Sequence, residues 1–198
     1  MNEKMALILV DVQNDFCPGG ALAIPNGDRV VEPLNRAAAA FAAARLPVFA
    51  TRDWHPPHTR HFQPFGGPWP VHCVQDSVGA AFHPDLRLPA GTILLFKGID
   101  ERLDGYSAFD GVTETGSSLA ELLTEHGISH LCIGGLATDY CVRTTVLDAR
   151  KGGLTVTVLS DAVAGVDLQP GDSERALDEM RTAGAQMLRV AEIHLMVS

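Results

Sequence analysis

Six short apolar runs punctuate the chain, and most of the stretches between them carry helical periodicity. Ala6-Leu7-Ile8-Leu9-Val10 is apolar at every position, as expected of a strand covered on both faces. Val48-Phe49-Ala50-Thr51, Thr92-Ile93-Leu94-Leu95-Phe96, Leu131-Cys132-Ile133-Gly134 and residues 154–159 repeat that character, and residues 186–190 make a sixth run. Helices are expected from Asp28 to near Leu46, and over residues 117–126, 138–151 and 172–183. Gly127, Gly152 and Gly184 stand where the chain should leave a helix. Strand and helix alternate as in βαβ units, which predicts an α/β fold around a parallel sheet. No internal repeat or linker interrupts the pattern, so residues 1–198 are expected to form one domain.

One stretch breaks the rhythm. Residues 54–91 hold seven of the twelve prolines and five of the eight histidines. Loops this long within a compact domain usually serve function. A cap over the sheet or a subunit contact is the plainer alternative.

Composition narrows the classes. A chain of 198 residues with 46% hydrophobic and 20% charged residues can build its own core. Its formal net charge of -9 argues against a nucleic-acid partner and against an anionic membrane surface. Four cysteines, Cys17, Cys73, Cys132 and Cys141, do not make a disulfide framework. The apolar run before Asp11 is too short to span a membrane, and it lacks the basic start and cleavage site of a signal peptide. The cytoplasm is the expected compartment.

Strand polarity then gathers the chemistry. In a parallel sheet the residues that follow each strand collect on one edge, where such folds bind ligands. Asp11 follows the first strand, Asp53 the second and Lys97 the third; the fourth runs into a turn carrying Cys141. Near a helix start, unpaired N–H groups favour a thiolate, so the Cys141 pKa is expected to fall. Taken alone, Cys141 reads first as a small buried hydrophobe, and Asp11 can be a turn former and Lys97 a solvated strand-end lysine. Together, Asp11 as general base, Lys97 as charge stabiliser and Cys141 as nucleophile suit amide hydrolysis. Asp53 and His55 stand two apart on an extended segment, and His61 and His72 follow on the long loop. Such a set suits Zn²⁺, Fe²⁺ or Mn²⁺, although loop histidines such as His58 and His83 commonly make ordinary hydrogen bonds.

These segments resemble a known family. The run from Asp11-Val12-Gln13-Asn14-Asp15-Phe16-Cys17 to Leu22 is similar to the opening motif of nicotinamidases, within the isochorismatase-like cysteine hydrolase superfamily. Thr51-Arg52-Asp53-Trp54-His55, Trp69-Pro70-Val71-His72-Cys73, Phe96-Lys97-Gly98 and Gly135-Leu136-Ala137-Thr138-Asp139-Tyr140-Cys141-Val142 extend the match in the family's order. The resemblance implies a three-layer α/β/α sandwich with a six-stranded parallel sheet and a catalytic triad of Asp11, Lys97 and Cys141. It implies one divalent metal, zinc ahead of iron or manganese, on Asp53, His55 and His72, with His61 a fourth ligand in some relatives. It further implies an oxyanion hole from the N–H groups of Ala137 and Cys141, with a cis peptide joining Leu136 to Ala137. Phe16, Trp69, Tyr106 and Leu136 become the candidates to surround a pyridine ring. The implied reaction converts nicotinamide to nicotinate and ammonia through a thioester, with pyrazinamide as a related substrate. Relatives commonly self-associate, so a homo-oligomer is part of the expectation. An amidohydrolase for a carbamoyl or ureido compound, a hydrolase using metal-bound hydroxide, and a non-catalytic binding module are the competing readings.

Overall fold

The computed structural model describes residues 4–197. Its strands are β1 Met5–Val10, β2 Val48–Asp53, β3 Ile93–Lys97, β4 His130–Leu136, β5 Thr155–Ala164 and β6 Gln186–Leu188. All pair in parallel, in the order β3-β2-β1-β4-β5-β6. The chain therefore starts at the centre, builds outward through β2 and β3, and returns to build the other half. The switch point falls between the ends of β1 and β4.

Helices cover both faces: α1 Val31–Ala43, α2 Leu119–His126, α3 Arg143–Lys151 and α4 Asp172–Thr182. Leu7 and Leu9 of β1 pack in one cluster with Leu34, Ala37, Ala38 and Phe41 of α1. Ala6, Ile8 and Val10 pack in the opposite cluster with Leu123 of α2, Val146 of α3 and Met180 of α4. Each fully buried large aliphatic side chain contributes about 1.5–3 kcal/mol, so a polar residue on either face of β1 would be costly. That is why the run does not alternate. The fold is the three-layer α/β/α sandwich expected.

Several boundaries differ from expectation, each for a local reason. The first helical segment opens as a 3-10 turn, Gly27–Val30, and α1 ends at Ala43 because Arg45 takes a left-handed φ of 57°. The helix expected from residue 138 begins as a π turn, Thr138–Val142, before α3. The strand expected to stop at residue 159 continues to Ala164. Its register against β4 shifts between Ile133 and Gly135, and the bulge admits Ser160 and Asp161, which conceal the second half. β6 stops at Leu188, since the next two N–H groups are taken by carboxylates of Glu192 and Asp161. The left-handed exit from α3 is made by Gly153, with φ 83°, rather than Gly152.

Residues 54–91 contain one 3-10 turn, Gln63–Phe65, and are tied down by single bridges. His55 pairs with Val74, Phe62 with Trp69, and Phe82 with Gln13 just beyond β1. Among the described residues, no helix is long and apolar enough to cross a membrane.

Candidate active site

The ends of β1, β2, β3 and β4 meet at the switch point. Asp11 is the first residue after β1, and Asp53 and Lys97 are register partners ending β2 and β3. Gly135 lets β4 close against β1: with φ 129°, an added Cβ would lie 2.1 Å from the Val10 carbonyl oxygen. The chain then crosses a cis peptide between Leu136 and Ala137. The Ala137 carbonyl accepts the N–H groups of Tyr140 and Val142, both at 3.1 Å, and so holds the turn that carries Cys141.

Lys97 is the hub. It is fully buried, with Nζ 2.8 Å from Asp11 Oδ2 and hydrogen-bonded to Asp53 Oδ1. The same nitrogen donates to the Gly105 carbonyl at 3.0 Å and lies 3.4 Å from Cys141 Sγ. Burying one ion costs several kcal/mol unless partners offset it. Burial works against the ammonium, yet the two carboxylates outweigh it and hold the Lys97 pKa well above its ordinary value. Burial raises Asp11 to about 6, against the pull of Lys97. Burial also opposes ionisation of Asp53, but Lys97, with His55 and His72, takes its carboxyl well below the usual range.

The expectation that the Cys141 pKa falls is corrected here. Burial, reinforced by Asp11 and Asp53, pushes the thiol well above its ordinary value, and Lys97 alone does not compensate. Burial among carboxylates therefore favours the neutral thiol at Cys141.

Two polar side chains that the sequence analysis did not single out hold this array. Thr51 Oγ1 donates to Asp11 Oδ1 at 2.6 Å and accepts the Asp11 N–H at 3.1 Å. The Gln13 amide accepts the Asp53 N–H at 2.8 Å and donates to the Asp53 carbonyl at 2.8 Å and the Ala80 carbonyl at 2.9 Å. Gln13 thus extends the β1–β2 pairing with its side chain where the backbone has turned away. The available signal was a polar residue closing or following an apolar run.

Beside the hub lies a cluster of imidazoles. One ring nitrogen each of His55, His61 and His72 falls within 4.8 Å of the others. Asp53 Oδ2 lies 3.7 Å from His55 Nε2 and 4.0 Å from His72 Nε2. In each ring Nδ1 is already engaged: His55 with the Gly98 carbonyl at 3.1 Å, His72 with the Pro70 carbonyl at 2.8 Å, and His61 with Asp104 Oδ1 at 2.9 Å. That leaves Nε2 as the inward-facing donor. His55 Nε2 is buried with no hydrogen-bond partner. Burial lowers the His72 pKa to about 4 and lowers that of His61, so both are neutral at pH 7. A carboxylate, neutral imidazoles with outer partners and an orphaned buried nitrogen fit a divalent cation. His58 is exposed against Phe65, and His83 accepts the Asp85 N–H, so neither joins the cluster.

Between Cys141 and the imidazoles is a cavity of ≈ 30 Å³. Phe16, Trp69 and Tyr106 line it, together with Leu22, Tyr140 and Val166, which were not singled out. Trp69 Nε1 donates to the Tyr106 hydroxyl at 2.8 Å, and Trp69 meets Tyr140 edge-on at 4.8 Å. Leu136 is different. It is fully buried in the α1-side cluster and stands outside the lining, where Ala137 takes its place. A larger depression of ≈ 640 Å³ lies against α1, and none of the expected site residues borders it. The four cysteines are free and buried.

The chain has relatives among known proteins. The chain is 43% identical to the nicotinamidase of Escherichia coli, over 94% of this chain and 95% of that protein. It is 40% identical to the nicotinamidase/pyrazinamidase of Mycobacterium tuberculosis, over 92% and 97%. A crystal structure of the pyrazinamidase of Pyrococcus horikoshii in complex with zinc superposes with a TM-score of 0.86 at 42% identity, covering 94% of this chain and 99% of that one. The model of the Isochorismatase domain matches residues 5–192. With that match along nearly its whole length and a rim built as described, the chain belongs to the isochorismatase family.

Proposed function

We propose that this amide hydrolase converts nicotinamide to nicotinate and ammonia, and accepts pyrazinamide, through a thioester on Cys141. The observation that carries the reading is the Lys97 ammonium, 2.8 Å from Asp11 and 3.4 Å from Cys141 in a buried, aromatic-lined site. Full-length similarity to enzymes named for these two amides supports the substrate.

Asp53, His55 and His72, with His61, would hold one divalent ion, zinc being the first candidate because the Pyrococcus relative was solved with it. When bound, the ion supplies a Lewis-acid anchor for a ring nitrogen. Phe16, Trp69 and Tyr106 would flank the ring. The cavity holds about one water's volume as it stands, so a ring enters only if a side chain turns aside.

The thiol proton of Cys141 passes to Asp11 as Sγ attacks the carboxamide carbon. A carboxylate with a pKa near 6 can take that proton at neutral pH and return it, which is what general acid–base work requires. The N–H groups of Ala137 and Cys141 receive the oxyanion, and Lys97 offsets the negative charge passed between Asp11 and Cys141. Asp11 then protonates the departing nitrogen, so ammonia leaves and the acyl group stays on sulfur. Water, deprotonated by Asp11, attacks the thioester; the carboxylic acid departs and the thiol is restored.

The test is ammonia release from nicotinamide, with acid-quenched protein examined by mass spectrometry. Turnover with an acyl adduct on the Cys141 peptide, both absent in Cys141→Ala, is the expected result. Substantial turnover by Cys141→Ala would sink the covalent route. No ammonia from nicotinamide or pyrazinamide would sink the substrate assignment.

A further inference from the structure

The three imidazoles facing the proposed ion are not held alike. His55 and His72 give their Nδ1 protons to backbone carbonyls, those of Gly98 and Pro70. These acceptors move only with the chain. His61 gives its proton to the carboxylate of Asp104, a side chain whose atoms are 48% exposed. Asp104 sits between β3 and α2, on a segment joined to the His61 loop by two further bonds. The Glu101 carbonyl accepts the Arg60 N–H at 3.2 Å and the Thr59 hydroxyl at 3.2 Å.

We propose that Asp104 is the positioning residue for His61 and makes that histidine a fourth ligand. This rests on the metal centre assigned above. The carboxylate selects the tautomer that protonates Nδ1, so the lone pair sits on Nε2, toward His55 and His72. It also sets the ring plane, which stacks on His55 at a centroid distance of 4.5 Å and an interplanar angle of 22°. A charged acceptor adds electron density to the ring and strengthens Nε2 as a donor. Without Asp104 nothing in the observed contacts fixes the tautomer, and His61 turns to either nitrogen. The family pattern of Asp53-x-His55 with His72 does not contain this residue, and its role follows from the His61 contact alone.

The test measures zinc affinity of the chelator-stripped protein by competition with a chromophoric chelator, so it does not depend on turnover. Asp104 is on the surface, and its variants should fold. Asp104→Ala should weaken zinc binding about 10–100-fold, the range seen when outer partners of ligating histidines are lost. Asp104→Asn, whose amide oxygen can still accept from Nδ1 but carries no charge, should fall between Asp104→Ala and the unaltered protein. In a His61→Ala background, Asp104→Ala should have no further effect. Cobalt substitution adds a signature: the visible d–d bands of Asp104→Ala should match those of His61→Ala and differ from those of the unaltered protein. Affinity unchanged in Asp104→Ala while His61→Ala loses it would overturn the proposal, as would an equal loss in both backgrounds. His72→Ala is the control for the centre itself: zinc binding unaltered there would overturn the metal centre and the role of Asp104 with it.

Discussion

Thr51→Val gives the sharpest test of how Asp11 works. The substitution keeps the side-chain shape and removes the hydroxyl that donates to Asp11 Oδ1 at 2.6 Å in a fully buried site. That hydrogen bond favours the ionised carboxylate, so its loss must raise the Asp11 pKa from about 6. A hydrogen bond to a charged group contributes about 1.5–3 kcal/mol, equivalent to about 1–2 pKa units. The acid limb of kcat/KM should therefore move up to about pH 7–8. At pH 6 the variant should be roughly 5- to 50-fold slower, and most of the loss should vanish by pH 9. The assay is kcat/KM for ammonia release from nicotinamide between pH 5 and 9. Lys97, Asp53 and Cys141, the charged and titratable groups around Asp11, are unchanged, so the shift is read against a constant background. The Asp11 N–H also loses its acceptor, which should cost about 1–3 kcal/mol in urea unfolding. An acid limb that stays put would refute the assignment of Asp11 as the titrating base, and a downward shift would reverse the sign of the argument.

Other outcomes follow from the same contacts. Lys97→Met leaves Asp11 and Asp53 buried without their shared cation; the metal-free protein should lose about 3–5 kcal/mol of stability in urea and nearly all turnover. Stability unchanged within 1 kcal/mol, on the order expected for a surface pair, would contradict the hub. Gly98→Ala places a Cβ 2.4 Å from His55 Cε1 at a φ of 67°, so it should displace that ring and lower zinc affinity, read by the same chelator competition.

Much of the architecture was legible along the chain because parallel strands buried on both faces must be apolar throughout. β1 and the runs from Val48 and Leu131 read directly as strands. Strand polarity alone assembled Asp11, Asp53, Lys97 and Cys141 on one edge, since all strands of such a sheet end there. The boundaries were less legible. Ser160 and Asp161 hid half of β5, because a bulge can tolerate polar residues that periodicity reads as an ending.

What the sequence by itself determined is the strand count, the shared rim and the residue types present there. Tertiary structure alone decided their states and partners. Cys141 has a raised pKa because burial and two carboxylates outweigh the Lys97 charge, a balance that depends on distances no spacing contains. Thr51 and Asp11 stand forty residues apart, as do Gln13 and Asp53, and Asp104 reaches His61 across forty-three. Leu136 lies in the core and Tyr140 in the cavity lining although only four positions separate them, a difference no local pattern encodes. Apolar periodicity is a local property and can be read in one dimension; hydrogen-bond partners and electrostatic fields are properties of neighbours, which exist only once the chain has closed on itself.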